Sequence, residues 1–198
     1  MVSSKKTETR EAILQAARKL IEEYGPDAVR MQDIATDAGI SRQGLYLHFA
    51  SRSDLLLALV DWIDREEGLG ALVQWVWEAE EGINALERFI TVNARYTHQI
   101  YPVAQSLMSG RYADEAIAAA WDDRMTGRRD SCRKLIYWLK KDGKLTSSMT
   151  TKEATDLLWT LVSIQVWEQL VIESGWSPEQ YEGYLQLITK RSLVAAPE

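Results

Sequence analysis

Apolar positions along this chain recur every three or four residues, and nowhere do they alternate with polar ones over the length of a strand. That spacing predicts helix almost throughout. A first helix is expected over 9–24, where Ile13, Ala16, Ala17, Leu20, Ile21 and Tyr24 form one face, ended by Gly25-Pro26. A short second helix follows over 31–38, with Ile34, Ala35 and Ala38 on one side. Gly39-Ile40 supplies a turn, and Gly39 suits the left-handed backbone that a tight helix-to-helix turn requires. Ser41 then caps a third helix over 42–49, and Ser51-Arg52-Ser53-Asp54 opens a fourth as a capping box.

Past Gly68-Leu69-Gly70 the helical period persists and the side chains grow larger. Helices are expected over 83–99, 101–109, 113–142, 151–174 and 178–193, the last with Pro178 at its first position. The stretch 69–80 reads equally as helix or packed loop. The four prolines (Pro26, Pro102, Pro178 and Pro197) are expected at element boundaries, and Gly127 marks a candidate kink. The fold class is therefore all-α, with about nine helices.

Composition narrows the class of protein. With 198 residues, 46% of them hydrophobic and 26% charged, the chain can build a core and remain an ordinary globular protein. No run approaches the roughly 18 apolar residues of a membrane span. The polar N-terminus, carrying Lys5, Lys6 and Arg10, does not read as a signal peptide. A single cysteine, Cys132, leaves no intramolecular disulfide and predicts a reducing, cytoplasmic setting. Two distant histidines, His48 and His98, suggest neither a metal centre nor another cofactor. The net charge of −6 falls wholly after residue 55, because the first 55 residues carry eight basic and eight acidic groups. Such a neutral segment can still bind nucleic acid if its cations share a face.

Residues 31–49 have the shape of a helix-turn-helix: small Ala35 lets two short helices approach, Gly39 turns the chain, and Ile34, Ile40 and Leu45 bury the seam. A helix so mounted can enter a major groove, with Arg42 and Gln43 at its leading end suited to guanine and adenine. The order Ile34-Ala35, Gly39-Ile40-Ser41, Leu45-Tyr46-Leu47-His48-Phe49 and Ser51-Arg52-Ser53-Asp54-Leu55-Leu56 resembles the TetR-type family of bacterial transcriptional regulators. Ile13-Leu14-Gln15-Ala16-Ala17 and Tyr24-Gly25 match as well, so the resemblance by motif covers about the first third of the chain. It implies an N-terminal three-helix DNA-binding domain over 8–67 and a helical effector-binding and dimerisation domain over 68–198. Carried over residue by residue, Arg42, Gln43 and Gly44 face bases after the Ser41 cap. Gln32 adds a contact from the second helix, and Tyr46, His48 and Arg52 reach phosphates. Two positions depart from the family pattern: Arg30 stands where Thr commonly caps the second helix, and Arg52 where Lys is more usual. Phe49 reads better as a core aromatic than as a contact.

All eight tryptophans lie from Trp62 onward. Filling a helical core is their plainest role, yet Trp and Tyr also orient ligands. The resemblance implies an effector pocket, for which Tyr96, Gln99, Tyr101, Gln105 and Met108 are candidates together with Trp121, Met125, Trp159 and Ser163. Its occupant is expected to be largely apolar or aromatic, a planar cation being the narrower alternative. The basic run Arg124, Arg128, Arg129, Arg133 and Lys134 reads first as a solvated helix face and second as a seat for an anionic group. Leu161, Tyr181, Tyr184, Leu185 and Ile188 are expected at a two-fold interface, since the last two helices are apolar over wide faces. The expected function is a homodimeric repressor that leaves a palindromic DNA operator when its small-molecule effector binds. An all-α enzyme or a helical protein-interaction module is the alternative. No Ser-His-Asp set or phosphate-cradling glycine loop supports the enzyme, and His98 with Glu78, Glu80 and Glu81 makes no recognisable catalytic pattern.

Overall fold

The computed structural model describes residues 2–196, with side chains from Lys6 onward. Met1, Pro197 and Glu198 lie outside them, as do the Lys5 side chain and the boundary expected at Pro197. The described residues form ten α-helices in order: α1 Val2–Tyr24, α2 Met31–Asp37, α3 Arg42–Tyr46, α4 Arg52–Glu66, α5 Leu69–Trp77, α6 Gly82–Gly110, α7 Glu115–Lys141, α8 Thr151–Leu161, α9 Ile164–Trp167 and α10 Pro178–Leu193. A π-helical turn, Glu168–Glu173, extends α9. Among the described residues the only β pairing is an isolated bridge between Leu145 and Val194. The all-α expectation holds.

Two compact units divide the chain, and the backbone passes between them within α6 and α7. The first comprises Met1–Glu67 with Ile100–Asp122, the second Gly68–Gln99 with Asp123–Glu198.

In the first unit, α1 packs on α2 and α4, and α2 on α3. Ile13, Ala17, Ile21, Ile34, Ala35, Leu45, Phe49, Leu55, Leu59 and Ile63 are buried in its core. The Asp114 carboxylate accepts from the backbone N–H groups of Ala116 and Ile117 at 2.9 and 3.1 Å, capping α7, and from the Ser53 hydroxyl at 2.5 Å. These three donors hold the Asp114 carboxyl below its ordinary value. In the second unit, α8 and the π-helical turn pack against α10. Leu86, Ile90, Leu135, Ile136, Leu139, Leu158, Val162, Trp167, Tyr181 and Leu185 are buried there.

Several boundaries differ from the sequence expectation: α1 begins at Val2 instead of near residue 9, and α3 ends at Tyr46 instead of near residue 49. Pro102 lies inside α6, so the helices expected over 83–99 and 101–109 are one. The proline costs about 3 kcal/mol in a helix interior. Burial of Ile100, Tyr101, Val103, Ala104 and Leu107 around it, at roughly 1.5–3 kcal/mol for each of the larger side chains, outweighs that. Conversely, the helix expected over 151–174 breaks at Ser163, whose extended backbone and hydroxyl, accepting from the Val166 N–H at 3.3 Å, start a new helix. The ambiguous stretch after Gly68 is helical as α5.

Candidate nucleic-acid interface and effector region

The turn between α2 and α3 is a Schellman motif built on Gly39. The Gly39 N–H donates to the Thr36 carbonyl at 3.1 Å and the Ile40 N–H to the Ala35 carbonyl at 3.0 Å. Gly39 has φ +69, which a side chain would strain. Ser41 then accepts from the Gly44 N–H at 3.0 Å, capping α3 as its position requires. Leu45 and Phe49 point inward with no exposed surface. That leaves Ser41, Arg42 and Gln43 exposed at the start of α3 and Gly44 half-buried. Gln32 is exposed on α2. The Arg42 guanidinium lies 5.7 Å from the centroid of the Tyr46 ring, within cation–π reach, and Tyr46 is itself 41% exposed.

At the far end of α3, Arg10 acts as a brace that sequence reasoning did not single out. Its guanidinium sits 4.1 Å over the Phe49 ring and donates to the His48 carbonyl at 2.9 Å. The two ends of this contact are 38 residues apart, so no local pattern announces it. Burial and the charges of Lys6 and Arg10 hold the half-buried His48 imidazole below its ordinary value, so near neutral pH the ring is uncharged. The folded state disfavours the protonated ring. Its effect on stability is therefore absent above the ordinary range, about 6.5, and becomes a loss as pH falls below it.

Arg52 has structural work of its own. Its guanidinium donates to the Pro26 and Val29 carbonyls at 2.6 and 2.5 Å, tying α4 to the loop before α2. Arg30 has no acceptor to cap α2 with; instead the Asp33 carboxylate accepts from the Arg30 N–H at 2.9 Å.

The candidate effector residues fall in both units. In the second, Tyr96 is buried and accepts from Arg124 through its hydroxyl at 2.5 Å, while Gln99, Met125, Trp159 and Ser163 are half-buried. In the first, Tyr101 and Trp121 are buried, and Gln105 donates to the Tyr101 hydroxyl at 2.8 Å; Met108 is half-buried. The basic run on α7 is not uniform: Arg129, Arg133 and Lys134 are exposed, whereas Arg124 and Arg128 turn inward. Of the residues expected at a subunit interface, Tyr184 is 43% exposed, and Leu161 and Ile188 are half-buried. Tyr181 and Leu185 have no exposed surface within the protomer. Leu187, one turn from Tyr184, is exposed and was not anticipated.

Among the described residues no three His, Cys, Asp or Glu side chains could hold a metal ion, and no helix is long and apolar enough to cross a membrane.

A capped second helix of a helix-turn-helix, with arginine and glutamine exposed at its open end, has the form of a DNA-reading element. Comparison with known proteins shows what the chain is similar to. Residues 13–59 match the profile described as "Bacterial regulatory proteins, tetR family". The chain is 24% identical over 178 residues to the HTH-type transcriptional regulator SAR2658 of Staphylococcus aureus, covering 90% of each chain. It is 34% identical over 89 residues to the nucleoid occlusion factor SlmA of Vibrio campbellii, covering 44% of this chain and 43% of that one. This chain thus spans less than half the length of the nucleoid occlusion factor it matches. Among solved structures, a protein from Saccharomonospora viridis crystallised with choline superposes with a TM-score of 0.82 at 19% identity, covering 96% of this chain and 100% of that one. A TetR-family regulator from Agrobacterium tumefaciens superposes with a TM-score of 0.76 at 18% identity, over 96% and 100% of the two chains. These two likenesses concern the fold.

Proposed function

We propose that this chain is an effector-controlled repressor that binds a palindromic operator as a homodimer. The observation that carries the reading is the exposure of Arg42 and Gln43 at the capped start of α3. Arg42 and Gln43 read base edges, with Gly44 allowing close approach and Gln32 adding a contact from α2. Tyr46 and His48 position the protein on phosphates, and Arg52 combines its brace with a further phosphate contact. Residues 8–67 form the DNA-binding domain, and 68–198 the domain for effector and partner.

Leu161, Tyr184 and Ile188 supply the outer face of the subunit interface, with Tyr181 and Leu185 supporting it from behind. The effector is a small molecule with an apolar or aromatic body. Its candidate contacts in the second unit are Tyr96, Gln99, Met125, Trp159 and Ser163; Tyr101, Gln105, Met108 and Trp121 are separate candidates in the first. DNA and effector are coupled reciprocally, typically by 1–3 kcal/mol. The family and fold relatives are regulators rather than enzymes, and a cytoplasmic setting follows from work on DNA.

Selection of genomic fragments by the purified full chain tests this reading. A shared palindromic site is expected. Arg42→Ala with Gln43→Ala should weaken binding to it by on the order of 1–3 kcal/mol per lost base contact, with an unchanged melting temperature. A folded double variant that keeps full, sequence-specific binding overturns the assignment.

A further inference from the structure

Arg128 is the odd member of the basic run on α7. Its guanidinium turns into the second unit, where it makes one long hydrogen bond, 3.3 Å, to the Val162 carbonyl. The ionisable groups it feels most are Cys132, Tyr96, Tyr181 and Arg124, and none of these is a carboxylate. Burial pushes both the Cys132 thiol and the Tyr181 phenol up to about 12. Neither supplies a negative charge near neutral pH. Guanidinium itself stays protonated in proteins, so a cation is held here with no carboxylate among the groups it feels most.

The polar groups linked to it through Tyr181, and Thr97 beside Asn93 on the same helix face, are short of acceptors too. Asn93 Nδ2, Thr97 Oγ1, Tyr181 Oη and Trp167 Nε1 are buried without a hydrogen-bond partner. Asn93 and Thr97 stand one turn apart on α6. The Asn93 amide sits beside the Tyr181 hydroxyl without completing a hydrogen bond. Trp167 meets the Tyr181 ring edge-on, with centroids 4.9 Å apart. All four side chains can donate. Turning the Asn93 amide so that its oxygen accepts from Tyr181 would still leave the guanidinium and the indole unmatched. Proteins rarely bury polar groups unsatisfied, and unsatisfied donors linked through Tyr181 to a cation without a carboxylate partner suit an acceptor.

We propose that this cluster seats a carboxylate group of the effector, which accepts from Arg128 and its neighbours while the apolar body lies against aromatic side chains. The inference rests on the effector reading above and gives its ligand a charge. One cation matches a monoanion, and the planar fork of arginine fits a carboxylate in two parallel hydrogen bonds. A cationic effector would meet repulsion here.

The test titrates the full chain with straight-chain carboxylates from acetate to octanoate and with benzoate, each beside its uncharged amide, and with choline. Melting temperature and tryptophan emission are the readouts. Carboxylates should raise the melting temperature where their amides do not. Arg128→Met should weaken carboxylate binding at least about tenfold, and Arg128→Lys should retain part of it. Ligand-free Arg128→Met should melt no lower than the parent, because an unmatched buried charge has been removed. Marked destabilisation of that variant would make Arg128 a structural group and overturn the proposal. If Arg128→Met does not fold, Tyr181→Phe should show the same selective loss for carboxylates, and unchanged carboxylate binding there overturns the proposal equally. Binding of amides or choline with carboxylates silent overturns the anionic seat and leaves the effector reading standing. Silence of the whole series overturns the seat, and the effector reading falls with it only if operator binding also ignores cell extracts.

Discussion

Arg52 has one duty that the structure shows and a second that is proposed. The family resemblance assigns it a phosphate, while the structure engages two of its guanidinium nitrogens with the Pro26 and Val29 carbonyls. Hydrogen bonds to a charged group contribute roughly 1.5–3 kcal/mol net, so Arg52→Met should lower the urea-derived stability by about that amount. The salt dependence of operator binding separates the second duty. A phosphate contact predicts a slope smaller by about 0.9 in the variant, and an unchanged slope would leave Arg52 a brace alone. Residues whose partners lie close by were readable in advance: Ser41 caps α3 and Ser51 caps α4 as expected. Arg10, Arg52 and Arg128 were not, because an arginine's stem reaches far and its partner can sit on any neighbouring element. A basic run predicts a solvated face on average, and the average misses the one member that turns inward.

At the scale of elements, periodicity and caps located most helices within a few residues. They failed where two signals opposed each other. Pro102 argued for an end that flanking burial overrode, and the apolar run around Ser163 argued for continuity that a cap interrupted. The glycines of α7 and the recognition turn make opposite predictions. Gly39 has a left-handed backbone, so Gly39→Ala should cost about 1–2 kcal/mol and weaken operator binding by re-aiming α3. Gly127 lies within α7 with open space around an added methyl, so Gly127→Ala should raise stability by about 0.5–1 kcal/mol. Urea midpoints of the two variants, read side by side, check both signs.

For the whole molecule, the fold class was plain from the helical period alone, and the helix-turn-helix from four ordered motifs. The effector's contacts were not, since a mixture of apolar and polar residues on helices describes a core as well as a ligand site. The proposed dimer is tested by light scattering of the purified chain, which should give twice the 22.6 kDa protomer mass. Replacing exposed Tyr184 by Glu should shift that mass toward the monomer and weaken operator binding without unfolding the subunit, because a charge would be buried in both halves of an isologous seam. A monomer at micromolar concentration in the parent chain would count against the interface.

The short β bridge gives α10 an unusual mooring. Its start is fixed by Ser177, whose hydroxyl accepts from the Gln180 N–H at 3.2 Å. Beyond its end, the chain is laced to the loop after α7, with Thr146 donating to the Leu193 carbonyl at 2.9 Å and Ala195 to the Lys144 carbonyl at 2.8 Å. A rod anchored at head and tail resists sliding along its axis by a helical turn. Any two-fold seam resting on Tyr184 and Ile188 would inherit that fixed register, leaving tilt as the easier motion for transmitting a signal from one subunit to the other.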